Sequence, residues 1–234
     1  MCVPETGSRC WAALAALALL LVAGGGQALA ARPAKMGGNG GARLLLHCAG
    51  PASHSGGEPA GDPCRELPLV RGPGDLVSEY DGAADTVMVW AYLYHPCRFA
   101  VMGVGFGIRY EGVQVITSGT CADLVYQDGE SMGKWARSGS DIAFAWRPES
   151  GGIRGLIAPV AWFLVTRLQP DGFFEVTPGT SDMAGAVADT SVVPTEDAIF
   201  AYGRVGFGAT EGLVTIEEPE KVAGAWGAVT VTAR

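Results

Sequence analysis

The sequence predicts an all-β protein, an antiparallel β-sandwich in a single domain, and three observations carry that prediction. Apolar residues alternate with period two in stretch after stretch. Few windows keep helical spacing over three turns. Turn formers interrupt the chain at short intervals, at Pro96, Asp128-Gly129, Gly151-Gly152, Asp171-Gly172 and Pro178-Gly179. Many short strands punctuated in this way pack as a sandwich or barrel.

The elements follow in order. Residues 42–48 form the first candidate strand. Thr86 to Tyr94 places Met88, Trp90, Tyr92 and Tyr94 on one face and Val87, Val89, Ala91 and Leu93 on the other. Both faces are apolar, which predicts a central strand covered on both sides. Phe99 to Tyr110 forms the next strand, with Gly103, Gly105 and Gly107 sharing a face. A face without side chains invites bulky neighbours to lie over its backbone, and the aromatic face of 88–94 is the expected neighbour. Residues 140–147 alternate again, with Ile142, Phe144 and Trp146 on one side. Shorter strands are expected at 112–117, 122–126, 160–168, 172–177, 184–190, 197–205 and 212–216. Val104-Gly105-Phe106-Gly107 recurs as Val205-Gly206-Phe207-Gly208, each followed by Glu-Gly, a pattern that an internal duplication would leave. In pattern the chain resembles jelly-roll, immunoglobulin-like, cohesin-like and carbohydrate-binding sandwiches.

The N-terminus reads as an export signal. Arg9 precedes an apolar run from Trp11 to Ala23, and Ala28-Leu29-Ala30 supplies a small-x-small cleavage site. The run is shorter than the ~20 residues a membrane span needs. Residues 1–30 are therefore expected to be a signal peptide, 31–41 a flexible lead, 42–217 the sandwich, and 218–234 a charged spacer and C-terminal tail. The mature chain is expected to be secreted, in the extracellular space, at the cell surface or in a periplasm, with no transmembrane segment. Its formal net charge of −8 and lack of a Lys/Arg cluster exclude nucleic acid as a partner. The partner is not identified by the sequence; a cell-surface or matrix component and a glycan stay open.

Four cysteines remain after the signal is removed: Cys48, Cys64, Cys97 and Cys121. An even number in an exported chain predicts two disulfides and no free thiol. Three connectivities are possible, and the local pairing, Cys48–Cys64 with Cys97–Cys121, brackets two compact stretches.

Candidate chemistry is sparse. Leu46-His47-Cys48, Asp85 and Ser150-Gly151-Gly152 follow the chain order of chymotrypsin-like serine proteases. Leu45-Leu46 stand where that family has Ala-Ala, Glu149 stands where it has Asp, and only residues 31–46 precede His47. No catalytic residue is assigned on this ground. Acids gather at Asp75, Asp81 and Asp85, where loop carboxylates could hold calcium, the one cofactor the sequence admits. The row Trp90, Tyr92 and Tyr94, together with Trp135, could stack on sugar rings, although apolar residues on both faces of the strand favour a place in the core. A non-catalytic surface or matrix protein, structural or adhesive, is the leading function class. A carbohydrate-binding module and a secreted hydrolase follow it.

Overall fold

A computed structural model describes residues 39–52, 54–55, 58–127, 137–180, 185–191, 193–214, 216–222 and 225–231. The expected signal peptide and Trp135 lie outside these residues.

The first strand, β1 (Arg43–Pro51), is buried from Arg43 through Cys48, so both of its faces are covered. Two short strands, β2 (His54–Ser55) and β3 (Glu58–Pro59), pair with each other, and β4 (Glu79–Tyr80) follows. The chain then runs as β5 (Thr86–Glu111), β6 (Val113–Thr120), β7 (Leu124–Gln127), β8 (Asp141–Ala145) and β9 (Ile153–Arg167). It continues as β10 (Gly172–Thr177), β11 (Ala186–Asp189), β12 (Glu196–Ala198), β13 (Ala201–Phe207) and β14 (Leu213–Val214). Last come β15 (Ile216–Val222) and β16 (Ala225–Val231).

The fold is all-β, as expected, and β5 organises it. The two strands expected at 86–94 and 99–110 are one strand of 26 residues. Fully straight it would reach about 85 Å, far longer than a domain of this size can hold, so it bends. Its pairing with β9 shifts register twice, between Ala91 and Tyr92 and again between Tyr94 and Phe99, around Pro96. On both sides of it β5 pairs antiparallel with β9, so the chain deflects there without reversing.

The two halves of β5 belong to different layers of the sandwich. The first half pairs with β1 on one edge and β9 on the other, and β6 lies beyond β9. The second half pairs with β8 on one edge and with β10 and β11 on the other. Beyond β10 lies β13, which is antiparallel to β10 and parallel to β1 at Arg43↔Ala201 and Leu44↔Tyr202. The hydrogen-bonded path β5–β1–β13–β10–β5 therefore closes on itself, joining the two layers along one side.

Between the layers lies the core, which takes every second residue of each strand. Val87, Val89, Ala91 and Leu93 meet Leu44, Leu46 and Cys48 in one layer, and Val104, Phe106 and Ile108 supply the other. Phe163 of β9 and Phe174 of β10 touch across the gap with ring centroids 4.7 Å apart.

Two outlying segments are ordered by specific contacts. Of the lead, residues 39–41 are described, and Asn39 is buried. Its side chain exchanges two hydrogen bonds with the backbone of Ala100, and the Asp197 carboxylate accepts from its backbone N–H. At the other end, β15 and β16 form a two-stranded sheet of their own, with Ile216 opposite Val231. Glu217 to Lys221, read from the sequence as a spacer, run within β15.

Candidate functional site

The aromatic face of β5 builds the most distinctive site. Cross-strand partners share a face, and one row runs His47, Trp90, Trp162 and Gly119 across β1, β5, β9 and β6. Gly119 makes room for its neighbour, since a Cβ there would lie 2.4 Å from the Trp162 ring. Trp90 and Tyr92 are each only 2% exposed. Their burial is of a different kind from the one expected, because they point away from the sandwich interior and lie far along β5 from Gly103, Gly105 and Gly107.

The cover is the segment between β3 and β4. The Tyr92 hydroxyl donates to the Pro68 carbonyl at 3.3 Å. The Val77 N–H donates to His47 Nδ1 at 3.0 Å, and the Cys48 N–H donates to the Val77 carbonyl at 2.7 Å. Burial raises the Tyr92 phenol to about 12 and lowers the His47 imidazole. Tyr94, the third aromatic of the row, is half-buried with the Arg43 guanidinium over its ring; the same guanidinium lies over Phe200.

A disulfide fastens this cover, and it corrects the expected pairing. Cys64 is bonded to Cys121, with Cα atoms 5.6 Å apart. Cys48 is a free, buried thiol that burial pushes up to about 11. The reason is strand alternation. Cys48 sits opposite Val89 on the core face of β1, whereas its neighbour His47 faces the cover where Cys64 lies. Cys97 is also disulfide-bonded, but Cys121 is not its partner.

The remaining candidates do not converge. Asp75 accepts the Arg71 backbone N–H at 2.8 Å, Asp85 faces Arg167 at 4.0 Å, and Asp81 is exposed. Among the described residues no group of three or more His, Cys, Asp or Glu is placed to hold a metal ion. The calcium reading of Asp75, Asp81 and Asp85 therefore has no assembled ligand set. Ser150 hydrogen-bonds Asp123 and the Arg147 carbonyl, so it stands apart from His47 and Asp85.

Beneath the cover lies a pocket of about 320 Å³. Trp90 and Met88 of β5 line it together with Pro51, Pro59, Pro63 and Pro68. Three alanines and Gly61 complete the wall, and Glu66 is the one charged residue. Sequence reasoning missed this site because the wall comes from a Gly/Pro-rich stretch that reads as a plain loop. Its signal was the density of prolines, which stiffen a loop enough to hold a cavity open.

A second feature lies on the outer face of the other layer. Glu175 of β10, with a side chain 10% exposed, takes Arg109 on one oxygen and Arg204 on the other, each at 2.6 Å. Both guanidiniums also lie over the ring of Phe173, at 5.4 and 4.9 Å. No sequence pattern marked this row, because it joins three strands distant in the chain.

No family model and no curated protein matches the sequence. Among solved structures, a cohesin module from a family 33 glycoside hydrolase of Clostridium perfringens is 6% identical, with a TM-score of 0.39; the match covers 56% of this chain and 90% of that one. The seventh ScaB type I cohesin from Pseudobacteroides cellulosolvens is 12% identical, with a TM-score of 0.36, over 60% of this chain and 92% of that one. At these TM-scores neither likeness decides a function.

Proposed function

We propose that this protein is an exported, non-catalytic β-sandwich that works by contact, as a structural or adhesive component of the extracellular space or cell surface. The observation that supports this reading is how the buried acids and imidazoles are used. His95 accepts the Cys97 N–H on Nδ1 and holds the Gly40 carbonyl through Nε2. Asp141 accepts both the N–H and the hydroxyl of Thr180. Asp197 holds Asn39, Glu175 holds two arginines, and His47 holds Val77. Groups spent on anchoring backbone are poorly placed to move protons for a substrate. The covered positions of Trp90 and Tyr92 weigh against a flat sugar-stacking platform, and the Cys64–Cys121 bridge fits an oxidising compartment.

The test has two arms on the full chain. Cell fractionation of the source organism should recover the protein outside the cytoplasm, and beads coated with it should be retained on those cells more than albumin-coated beads. A panel of glycosidic and ester substrates should show no turnover. Turnover of any panel substrate, or recovery in the cytoplasm, overturns the reading.

A further inference from the structure

We propose that β16 joins two copies of this chain, its open edge pairing antiparallel with the same strand of a second copy. β15 and β16 pair with each other from Ile216↔Val231 to Val222↔Ala225 and, among the described residues, with no strand of the large sheet. A two-stranded ribbon alone is marginal in water, and further strands on its edge stabilise it. On the outer side of each strand, every second residue turns its N–H and C=O away from the ribbon partner. The two open edges are not equivalent. β15 holds Pro219, which has no N–H to donate, among Glu217, Glu218, Glu220 and Lys221. Proline and charge are the residues that keep an edge from pairing. β16 holds no charge and no proline over its seven residues, the composition of a strand that readily takes another beside it.

Charge and register then select a second copy as the partner. Pairing β15 against β15 would bring the acids of two copies side by side. Pairing β16 against β16 puts the two β15 strands on the outside of a four-stranded sheet. They then stand three strand spacings, about 14 Å, apart, beyond the screening length of about 10 Å at 0.1 M salt. Read antiparallel about Ala228, the sequence of β16 also fits itself. Trp226 stands opposite Thr230, Gly227 opposite Val229, and Ala225 opposite Val231, so each large residue faces a smaller one. All seven residues pair, and the two-fold symmetry leaves no β16 edge for a third copy. A seam one strand wide and about 24 Å long belongs with the small interfaces, below about 1,200 Å², whose partners exchange.

The test is sedimentation equilibrium of the full chain over a range of concentrations. The mass should rise toward twice that of one chain, with a Kd of about 0.1 mM. A228K and A228E each put like charges directly opposite at the two-fold axis, and each alone should weaken the dimer about 5-fold. Mixed in equal amounts, the two variants should recover the parent's affinity, because Lys then faces Glu. That recovery separates a disrupted seam from a ribbon that has simply melted, since melted ribbons would not associate on mixing. Tm should be the same in all three proteins, because β16 pairs with no strand of the large sheet. A parent that stays monomeric at about 1 mM, ten times the expected Kd, overturns the proposal. So does a dimer equally strong in A228K and A228E, a mixture no tighter than either variant alone, or assembly that continues beyond two copies.

Discussion

The Val77 N–H donates to His47 Nδ1, so the imidazole is held neutral with its proton on Nε2, and burial lowers its pKa below the usual imidazole value of about 6.5. With the folded pKa below the unfolded one, the unfolded chain takes up the proton first as pH falls. The stability that neutral His47 contributes is complete above about pH 6.5 and is lost as pH drops through the folded pKa. H47Q keeps an acceptor oxygen and cannot titrate. Tm measured against pH should separate the two proteins only below about pH 6.5, with the parent falling faster. Cys48 makes a second residue-level case. Its thiol, raised to about 11 and buried, should resist alkylation at pH 8 in the native protein and react once unfolded. Mapping of unreduced peptides should join Cys64 to Cys121. Strand alternation was enough to place Cys48 on one face of β1, but nothing local said which face the segment carrying Cys64 would cover.

At the scale of elements, the glycine row of β5 shows what periodicity captures and what it leaves out. Gly103 lies between Ala145 and Ala188, and Gly105 between Ala143 and Ala186, so small residues flank the row where bulky ones were expected. Gly107 is tightly approached: a Cβ there would lie 2.5 Å from Thr177 Oγ1 and 2.6 Å from Gly179 Cα. A Cβ on Gly103 would meet Ala188 and the Phe144 carbonyl at an ordinary 3.5 Å. G107A should therefore cost about 1–3 kcal/mol in denaturant unfolding, and G103A should stay within about 0.5 kcal/mol of the parent. The Val-Gly-Phe-Gly pair is similarly informative. Phe106 and Phe207 are both fully buried, yet β10 sets Val205 level with Tyr110, six residues beyond Val104. The two copies run parallel on either side of β10 without matching in height. Alternation revealed the strands because it is a property of neighbours in sequence. Their pairing order depends on contacts between distant segments, and the continuity of β5 past Pro96 was hidden by a residue that usually ends strands.

At the scale of the whole molecule, the Cys64–Cys121 bridge closes a loop with a sequence separation of 57 and ties the cover to the far end of β6. Loop-closure entropy puts its contribution at about 4 kcal/mol. The double substitution C64S/C121S should lower stability by roughly that amount and shift tryptophan emission to the red as Trp90 and Trp162 meet water. W90A, with the bridge intact, should cost about 3–5 kcal/mol. A smaller loss would mean that the cover settles into the vacated space. Fold class and most strands were legible in the sequence, whereas the pocket was not. A cavity between a loop and a sheet face exists only after the sheet has formed and a distant cysteine has pinned the loop.

The parallel contact of β1 with β13 bears on how the molecule would carry load. Both strands advance in the same direction, so the entry end of β1 and the exit end of β13 lie at opposite ends of the pair. Tension applied between Arg43 and Phe207 would slide the strands along each other and strain their hydrogen bonds together. An antiparallel hairpin pulled at its open ends would instead unzip, breaking its bonds in succession. Under the adhesive role proposed above, this two-pair seam would be loaded in shear. Pulling between those two positions should therefore give a single high rupture event, and pulling across the β15–β16 ribbon a low, gradual one.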